Sequence, residues 1–314
     1  MPEIPEIRAH AERLEALAAG EVLKRVEPLS FTAFKTASPQ PGDAIGWPLC
    51  SVRQRAKFLL LRFAPPPHQP GADGAGNGHA QGEGGAGGTA GHGQNDGGLT
   101  FVVHLMQGGR LRVLEPGAKR PRRPRGGLAR FEFDSGLGLM LTEPGTQKRA
   151  GVWVLAGGVG EAEPLVGLGP EATDVDSAAM AELMAAHSAR LHNFLRDQRM
   201  ISGLGRRLAN EICHRAKLSP FASTGKLDAD AVGRVVAAVG AVVHESLAFE
   251  RGRPEMSRSA ERPSAVHSRT GQPCPACGDV VRAVEYRDYS VNYCAGCQTG
   301  GRVLADNTTS KFLR

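Results

Sequence analysis

The sequence predicts an α+β protein, in which a β-rich N-terminal part is followed by a helical part and a short cysteine-rich hairpin. The first part begins with one amphipathic stretch, from Ile4 to Ala19, and continues as short β-rich runs as far as Leu155. Beyond Pro170 the apolar residues recur at helical spacing, and near the C-terminus four cysteines form two Cys-x-x-Cys pairs. Strands and helices that are segregated along the chain in this way are typical of the α+β class.

The N-terminal part is predicted to form one helix and an antiparallel β-sandwich or barrel. Ile7, Ala11 and Leu14 fall on one helical face, and Gly20 is suited to the C-cap. The β-rich runs cover residues 22–26, 52–63, 99–103, 111–114, 128–133, 137–141 and 151–155. Because several of them end in Gly, Pro or Asp, we expect antiparallel hairpins between them.

One segment between two of these runs, residues 65–98, is rich in Gly and Pro and contains no Val, Ile, Leu or Phe. It buries too little apolar surface to offset its ordering entropy, so we expect a disordered hairpin loop. The domain boundaries follow changes in the sequence pattern. They give a β domain (1–156), a linker (157–176), a helical domain (177–255), a cysteine module (266–300) and a tail (301–314).

The helical domain is predicted to contain three amphipathic stretches. The first is a single stripe from Met180 to Leu195, the second covers residues 208–216, and the third covers residues 229–249. The second stretch ends before Leu218-Ser219-Pro220, where proline disfavours a continued helix.

Composition restricts the partners of the chain. The net charge is +6 and the isoelectric point is about 9.2, which favours a polyanionic partner. No stretch approaches the roughly 20 apolar residues that cross a bilayer, and the N-terminus does not resemble a secretory signal. We therefore expect a monomer in the cytoplasm, associated with the nucleoid and not with a membrane.

The four C-terminal cysteines carry a metal signature. Cys274 and Cys277 form one Cys-x-x-Cys pair, and Cys294 and Cys297 form the second. Two such pairs separated by strand-like sequence can place four thiolates tetrahedrally around one Zn²⁺, and they leave no open position for catalysis. The sequence therefore predicts a β-hairpin finger with one structural zinc ion.

The first residues, Met1-Pro2-Glu3-Ile4-Pro5-Glu6, allow two interpretations. Prolines suit the first turn of a helix. Alternatively, removal of Met1 leaves Pro2 with a secondary amine, which is partly unprotonated at neutral pH and attacks sugar aldehydes to form Schiff bases. Glu3 beside it is placed to move the proton in such chemistry.

Several motifs together resemble the formamidopyrimidine-DNA glycosylase/endonuclease VIII family of DNA repair enzymes. In chain order they are the N-terminal hexapeptide, residues 53–61, residues 103–111, the Gly203-Leu204-Gly205 turn with Asn210-Glu211 and Leu218-Ser219-Pro220, and the cysteine module. The resemblance covers nearly the whole chain except the Gly-rich segment. It implies an N-terminal β-sandwich with a leading helix, a helix-two-turns-helix domain and a C-terminal zinc finger.

The resemblance also implies roles for individual residues. Pro2 is the nucleophile, Glu3 protonates the sugar ring oxygen, Glu6 supports the site, and Lys57 is a catalytic lysine. The residues implied in DNA binding are His104, Gln107, Lys148, Arg149, Gly205, Arg206, Asn210, Arg287 and Tyr289.

The chain departs from the family pattern at the positions that contact DNA. Arg206 stands where the family has an asparagine, and Tyr289 stands where the finger has an arginine, with Arg287 close by. Gln107, Lys148 and Arg149 are candidates for filling the gap left by a flipped base. The segment 251–272 is short compared with the loop that caps 8-oxoguanine, which favours oxidised pyrimidines or abasic sites.

The predicted function is therefore a bifunctional enzyme that excises oxidised bases from double-stranded DNA and cleaves the strand at the abasic site by β- and δ-elimination. The retained Pro2, Glu3 and Lys57 favour this activity. The altered DNA-contacting residues favour the alternative, a paralogue that binds damaged or branched DNA with weak or no excision.

Overall fold

The structure is a computed structural model, which describes residues 1–66, 97–122, 124–145, 148–157, 159–160, 162–256, 261–287 and 289–304. Most of the Gly-rich segment, residues 65–98, and most of the C-terminal tail lie outside the described residues. The expectation of a disordered loop at residues 65–98 therefore stays a prediction. The predicted α+β class is confirmed, with a leading helix, two β-sheets, a helical region and a C-terminal hairpin.

The N-terminal region consists of helix α1 (Ile4–Ala18) and two antiparallel four-stranded sheets. Their strands are β1 (Leu23–Pro28), β2 (Leu49–Arg55), β3 (Phe58–Phe63), β4 (Leu99–His104), β5 (Arg110–Leu114), β6 (Gly127–Phe133), β7 (Gly138–Thr142) and β8 (Gly151–Ala156). One sheet has the order β1-β6-β7-β5 and the other β2-β3-β4-β8. The fold is therefore a sandwich and not a barrel.

Aromatic residues join the two sheets at the centre of the sandwich. Phe101 of β4 contacts Phe63 of β3 within its own sheet, with ring centroids 4.9 Å apart. Across the interface Phe101 contacts Phe131 of β6 at 5.9 Å. All three side chains are fully buried, and each such ring contributes about 2–3 kcal/mol of hydrophobic stabilisation.

The helical region comprises α2 (Ser177–Ala186), α3 (Leu191–Arg196), α4 (Arg206–Arg215) and α5 (Ala229–Arg251). The single stripe predicted from Met180 to Leu195 is wrong, because the chain breaks between α2 and α3. There Leu191 N–H donates to the carbonyl of Ala222 and Thr224 N–H donates to the carbonyl of Ala189. These long-range hydrogen bonds replace the helical ones, and the periodicity of a sequence does not reveal them.

Helix α5 corrects the expectation that no stretch of the chain approaches the length and apolar character of a membrane-spanning helix. With 23 residues and a mean hydropathy of 1.5 over an 18-residue window, it is long and apolar enough, by length and composition, to cross a membrane. Val235, Val239 and Val243 on one face are buried in the core that α5 shares with α2, α3 and α4. The helix also contacts α1. One face of this apolar helix is thus covered by the rest of the protein.

The C-terminal hairpin consists of β9 (Val281–Glu285) and β10 (Ser290–Cys294), followed by the short helix α6 (Ala295–Thr299). Strand β10 packs against α4. Tyr293 is fully buried, and its hydroxyl oxygen accepts a hydrogen bond from Leu304 N–H at 2.8 Å. The hairpin is therefore docked on the helical region through β10.

Candidate active site and nucleic-acid interface

The N-terminal residues form the centre of the candidate site. Pro2, Glu3 and Glu6 are buried, and α1 begins directly after Glu3. The Glu6 carboxylate accepts a hydrogen bond from Glu3 N–H at 3.0 Å, which closes the first turn. Burial lowers the pKa of the α-amino group at Met1 below its ordinary value, although Glu3 and Glu6 oppose this effect. An amine in this environment is a better nucleophile at neutral pH.

The Glu3 carboxylate lies at the N-terminus of α4. Its oxygens accept hydrogen bonds from Arg207 N–H at 3.2 Å and Leu208 N–H at 3.1 Å. Free N–H groups and the helix dipole both favour a negative charge at this place. Gly205, one of the predicted site residues, precedes α4 and lies so close that a Cβ would overlap the Glu3 carboxylate. Its role in the structure is to make room for Glu3.

A buried arginine joins the two carboxylates. Arg262 forms ion pairs with Glu6 at 2.9 Å and with Glu3 at 3.7 Å, and all three side chains are at most 5% exposed. Burial raises the pKa of Glu6, and Arg262 counteracts this shift. Sequence reasoning missed Arg262, because it lies far along the chain in a loop with no recognisable motif.

Lys57 lies in the turn between β2 and β3, directly after Ala56, which adopts a left-handed backbone with φ of 52°. The Lys57 side chain is 5% exposed. Burial lowers its pKa to about 8, Glu3 and Glu6 oppose the shift, and Arg196 adds to it. Lys57 therefore lies within electrostatic reach of the N-terminal carboxylates, as a catalytic or phosphate-binding lysine requires.

His104 and Gln107 occupy the end of β4 and the following turn. The His104 ring contacts Phe58 with centroids 4.6 Å apart, and its Nδ1 accepts a hydrogen bond from Met106 N–H at 3.1 Å. Burial and the nearby Lys57 lower the pKa of His104 to about 4, so the ring is neutral at physiological pH. Gln107 is exposed at the tip of the turn, and Met106 before it has a φ of 49°.

The second predicted gap-filling segment is also at the surface. Lys148 and Arg149 are exposed, and Lys148 has a left-handed φ of 42°. The segment is fixed at its end by Glu143, whose carboxylate accepts a hydrogen bond from Ala150 N–H at 2.7 Å. The structure thus places these two cations and Gln107 on exposed turns, and each is available to a ligand.

Tyr289 joins the hairpin to the helical region through a stack of rings and cations. Its ring lies parallel to that of Tyr286 at 4.7 Å, with the Arg196 guanidinium 4.5 Å and the Arg206 guanidinium 6.0 Å from its centroid. His192 stacks on it at 6.5 Å. These distances allow cation–π attraction. Arg206 and Tyr289, two of the residues that depart from the family pattern, are thereby brought together.

The remaining predicted DNA contacts are divided between interior and surface. Asn210 is fully buried, and its amide group donates a hydrogen bond to Asn292 at 3.3 Å and contacts His267 Nδ1 at 2.9 Å. It therefore connects α4 with the hairpin and does not face a ligand in this conformation. Arg287 is exposed at the tip of the hairpin.

The four predicted metal ligands are brought together. The Sγ atoms of Cys274, Cys277, Cys294 and Cys297 all lie within 4.8 Å of one another. Backbone bonds shape the first pair, since Cys274 N–H donates to the carbonyl of Asp279 at 2.7 Å and Gly278 N–H donates to the carbonyl of Cys274 at 2.9 Å. Four converging sulfurs fit a tetrahedral metal ion.

Two family models match the chain, the formamidopyrimidine-DNA glycosylase N-terminal domain over residues 1–150 and the formamidopyrimidine-DNA glycosylase H2TH domain over residues 166–257. The chain belongs to the formamidopyrimidine-DNA glycosylase family. An uncharacterized formamidopyrimidine-DNA glycosylase-like protein of Mycobacterium tuberculosis is 40% identical over 149 residues, which are 47% of this chain and 94% of that protein. The formamidopyrimidine-DNA glycosylase of Methylococcus capsulatus is 27% identical over 315 residues, covering 95% of this chain and 100% of that protein.

Solved structures of formamidopyrimidine-DNA glycosylases share the fold. MutM (Fpg) from Thermus thermophilus aligns with a TM-score of 0.72 at 24% identity, covering 95% of this chain and 98% of that one. Fpg from Lactococcus lactis in complex with DNA containing an abasic site aligns with a TM-score of 0.75 at 16% identity, covering 95% and 99%. At these identities the likeness establishes the architecture.

Proposed function

We propose that this chain is a bifunctional DNA glycosylase and abasic-site lyase that acts on oxidised bases in double-stranded DNA. The observation that carries the proposal is the buried N-terminus. Pro2 directly precedes Glu3, whose carboxylate accepts hydrogen bonds at the start of α4 and acts on the pKa of the buried Lys57. The family membership and the DNA complexes of its structural relatives support duplex DNA as the partner.

In the proposed mechanism the damaged nucleotide leaves the base stack and enters the site. With Met1 removed, the neutral Pro2 amine attacks C1′ of the sugar, the bond between C1′ and the base nitrogen breaks, and the base leaves with its electron pair. The Glu3 carboxylate takes the proton from the new ammonium nitrogen and then gives it to the ring oxygen. The ring opens and an iminium ion between Pro2 and C1′ results.

Strand cleavage follows from the iminium ion. Its positive charge acidifies the C2′ proton, whose loss expels the 3′ phosphate by β-elimination. A second proton loss expels the 5′ phosphate by δ-elimination. Lys57, largely protonated below pH 8, is suited to hold a phosphate next to the sugar, and the exposed Gln107, Lys148 and Arg149 are proposed to fill the gap in the duplex.

The metal centre completes the proposal. The four cysteines are proposed to hold one structural Zn²⁺, which supplies a rigid link between the strands of the hairpin and no chemistry. The hairpin then presents Arg287 and the Tyr289 stack to the DNA backbone. Of the predicted lesions, oxidised pyrimidines and abasic sites are preferred.

Borohydride trapping on a duplex with an abasic site tests the mechanism. We expect the wild-type chain to form a covalent adduct, because reduction converts the iminium ion to a stable amine. Pro2→Gly, which retains an N-terminal primary amine in another geometry, is expected to lose at least about 90% of the adduct. Pro5→Ala, with the first turn of α1 changed but the N-terminal residue kept, is the matched control.

Absence of an adduct with the wild-type chain, together with tight binding to the same duplex, would favour the alternative of a DNA-binding paralogue. A wild-type yield of adduct in Pro2→Gly would contradict the requirement for the secondary amine of Pro2. A panel of duplexes with 8-oxoguanine, formamidopyrimidine, thymine glycol, dihydrouracil, uracil and an abasic site then identifies the lesion.

A further inference from the structure

A histidine of the helical region lies against the metal-ligand cluster. His214, in the last turn of α4, places its Nε2 3.2 Å from the Sγ of Cys274. His214 is 8% exposed and Cys274 is 3% exposed, so water has little access to this contact. The four-cysteine cluster does not require His214 as a ligand, because the cysteines already provide four sulfurs.

We infer that His214 is an outer-sphere partner of the metal centre, which donates its Nε2–H to the Cys274 thiolate. The inference rests on the structural zinc proposed above and is independent of the glycosylase chemistry. A metal-bound thiolate has no proton to donate, so the imidazole must carry its proton on Nε2 for this contact to be favourable.

The negative charge of the metal centre makes this hydrogen bond favourable. Four thiolates and one Zn²⁺ have a net charge of about −2, and the part of that charge on the buried Cys274 thiolate is poorly solvated by water. A buried N–H donor offsets part of this desolvation cost and orients the thiolate. The same bond anchors the hairpin to α4, beside the packing of β10 on that helix.

Helix α4 thereby connects two functional groups. The N–H groups of Arg207 and Leu208 near its start hold the Glu3 carboxylate, and His214 near its end holds Cys274. The six-residue step along the helix from Leu208 to His214 corresponds to about 9 Å. One helix therefore carries both the contact to Glu3 and the contact to the metal-ligand cluster.

Zinc release from the full chain into an excess of the chelator pyridylazoresorcinol tests the inference. We expect His214→Phe, which fills the space without a donor, to weaken zinc binding about 10- to 100-fold. His214→Gln retains an N–H donor and is expected to remain within about threefold of the wild type. Arg215→Gln, which removes an exposed ion pair with Glu245 on the same helix, is the matched control.

Cobalt substitution adds a spectroscopic readout. We expect Co²⁺ in His214→Phe to keep the visible bands of four-sulfur coordination, since the cysteines remain its ligands. Wild-type zinc affinity in His214→Phe, equal losses in the Phe and Gln variants, or a changed ligand set would each overturn the inference. If His214→Phe does not fold, His214→Leu replaces it. A wild-type chain without zinc would instead contradict the proposed metal centre and leave the Pro2 trapping result unaffected.

Discussion

Lys57 is a buried cation, and its burial lowers the free energy of unfolding by an amount that depends on pH. Its pKa is lowered from 10.5 to about 8, mainly by burial. Below pH 8 both the folded and the unfolded chain hold the proton, and the folded protein bears the full cost of the buried charge, of the order of 3 kcal/mol. Between pH 8 and 10.5 the folded protein has released a proton that the unfolded chain keeps, so the cost declines as the pH rises.

Lys57→Met is therefore expected to stabilise the protein while it lowers activity. At pH 7 the free energy of unfolding should rise by about 2–3 kcal/mol, and at about pH 10 the gain should largely disappear. Urea unfolding at the two pH values measures this difference. Lys24→Met, at an exposed position of β1, serves as the control and should show no such pH dependence. An equal gain at both pH values would contradict a lowered pKa for Lys57.

Single residues of the site were predictable where they stand in local motifs. The four cysteines fall in two short pairs whose metal-binding chemistry follows from their spacing, whereas Pro2, Glu3 and Lys57 stand in motifs whose roles are implied by the resemblance to the family. Arg262 could not be predicted, because it contacts Glu3 and Glu6 only through the folded chain. The same holds for the stacking of Tyr289 on two arginines, which combines residues from distant segments.

Among the elements, the segment after β8 has a larger role than a linker. The Glu171 carboxylate accepts hydrogen bonds from Ala56 N–H, from the Arg55 guanidinium at 3.3 Å and from the Gln54 amide at 3.1 Å, and it forms an ion pair with Arg8 at 3.5 Å. The backbone around it is joined to residues 198–202, the loop that leads to α4. Glu171 thus ties the Lys57 turn to the loop before α4.

Glu171→Gln is expected to weaken the connection between the Lys57 turn and the loop before α4. The amide oxygen can still accept from Ala56 N–H, but the ion pairs with Arg8 and Arg55 are lost. We expect the free energy of unfolding to fall by about 2 kcal/mol and the rate of borohydride trapping to fall with it, while Glu171→Asp restores part of both. Glu163→Gln, at an exposed position of the same segment, is the control. Unchanged trapping and stability in Glu171→Gln would refute the positioning role.

The periodicity of apolar residues predicted which helices and strands form, but it did not predict the residues at which they end. Most strands and α5 formed where the apolar pattern predicted them, because each buries one face in a core. The single run predicted at residues 52–63 is wrong, because the chain turns at Ala56-Lys57 and forms two strands, β2 and β3. The break between α2 and α3 was missed, since it depends on hydrogen bonds to residues 222–224 across the helical region. The β-rich pattern alone left a sandwich and a barrel open. The resemblance to the family implied the sandwich, and the order of the strands shows it.

At the scale of the whole molecule, the positive charge should govern binding to DNA. The net charge of +6 implies affinity that falls steeply with salt, because each phosphate contact releases counterions. The order of the parts along the chain was predictable from composition and motifs. Their mutual contacts, such as β10 on α4, were not, since they involve few residues with a recognisable pattern.

Arg206→Ala tests whether the cation stacked on Tyr289 contacts a phosphate. We expect the slope of log K against log salt concentration to become shallower by about one, with similar losses for undamaged and abasic-site duplexes. Fluorescence anisotropy with labelled duplexes at several salt concentrations measures the slope. Lys24→Ala, on an exposed strand position, should leave the slope unchanged. A selective loss for the abasic-site duplex would instead assign Arg206 to lesion recognition.

The phenyl ring of Phe58, next to Lys57 in the chain, contacts a tryptophan whose fluorescence can be measured. Phe58 packs edge-on against Trp153 of β8, with centroids 6.4 Å apart, and the chain has only one other tryptophan, Trp47. Both indoles are partly exposed, but Trp47 packs against the sandwich core and Trp153 packs against a separate apolar cluster that also contacts Phe58. A displacement of the hairpin that carries Lys57 is therefore expected to alter the emission of Trp153, which makes this indole an intrinsic fluorescent reporter in contact with the residue that follows Lys57.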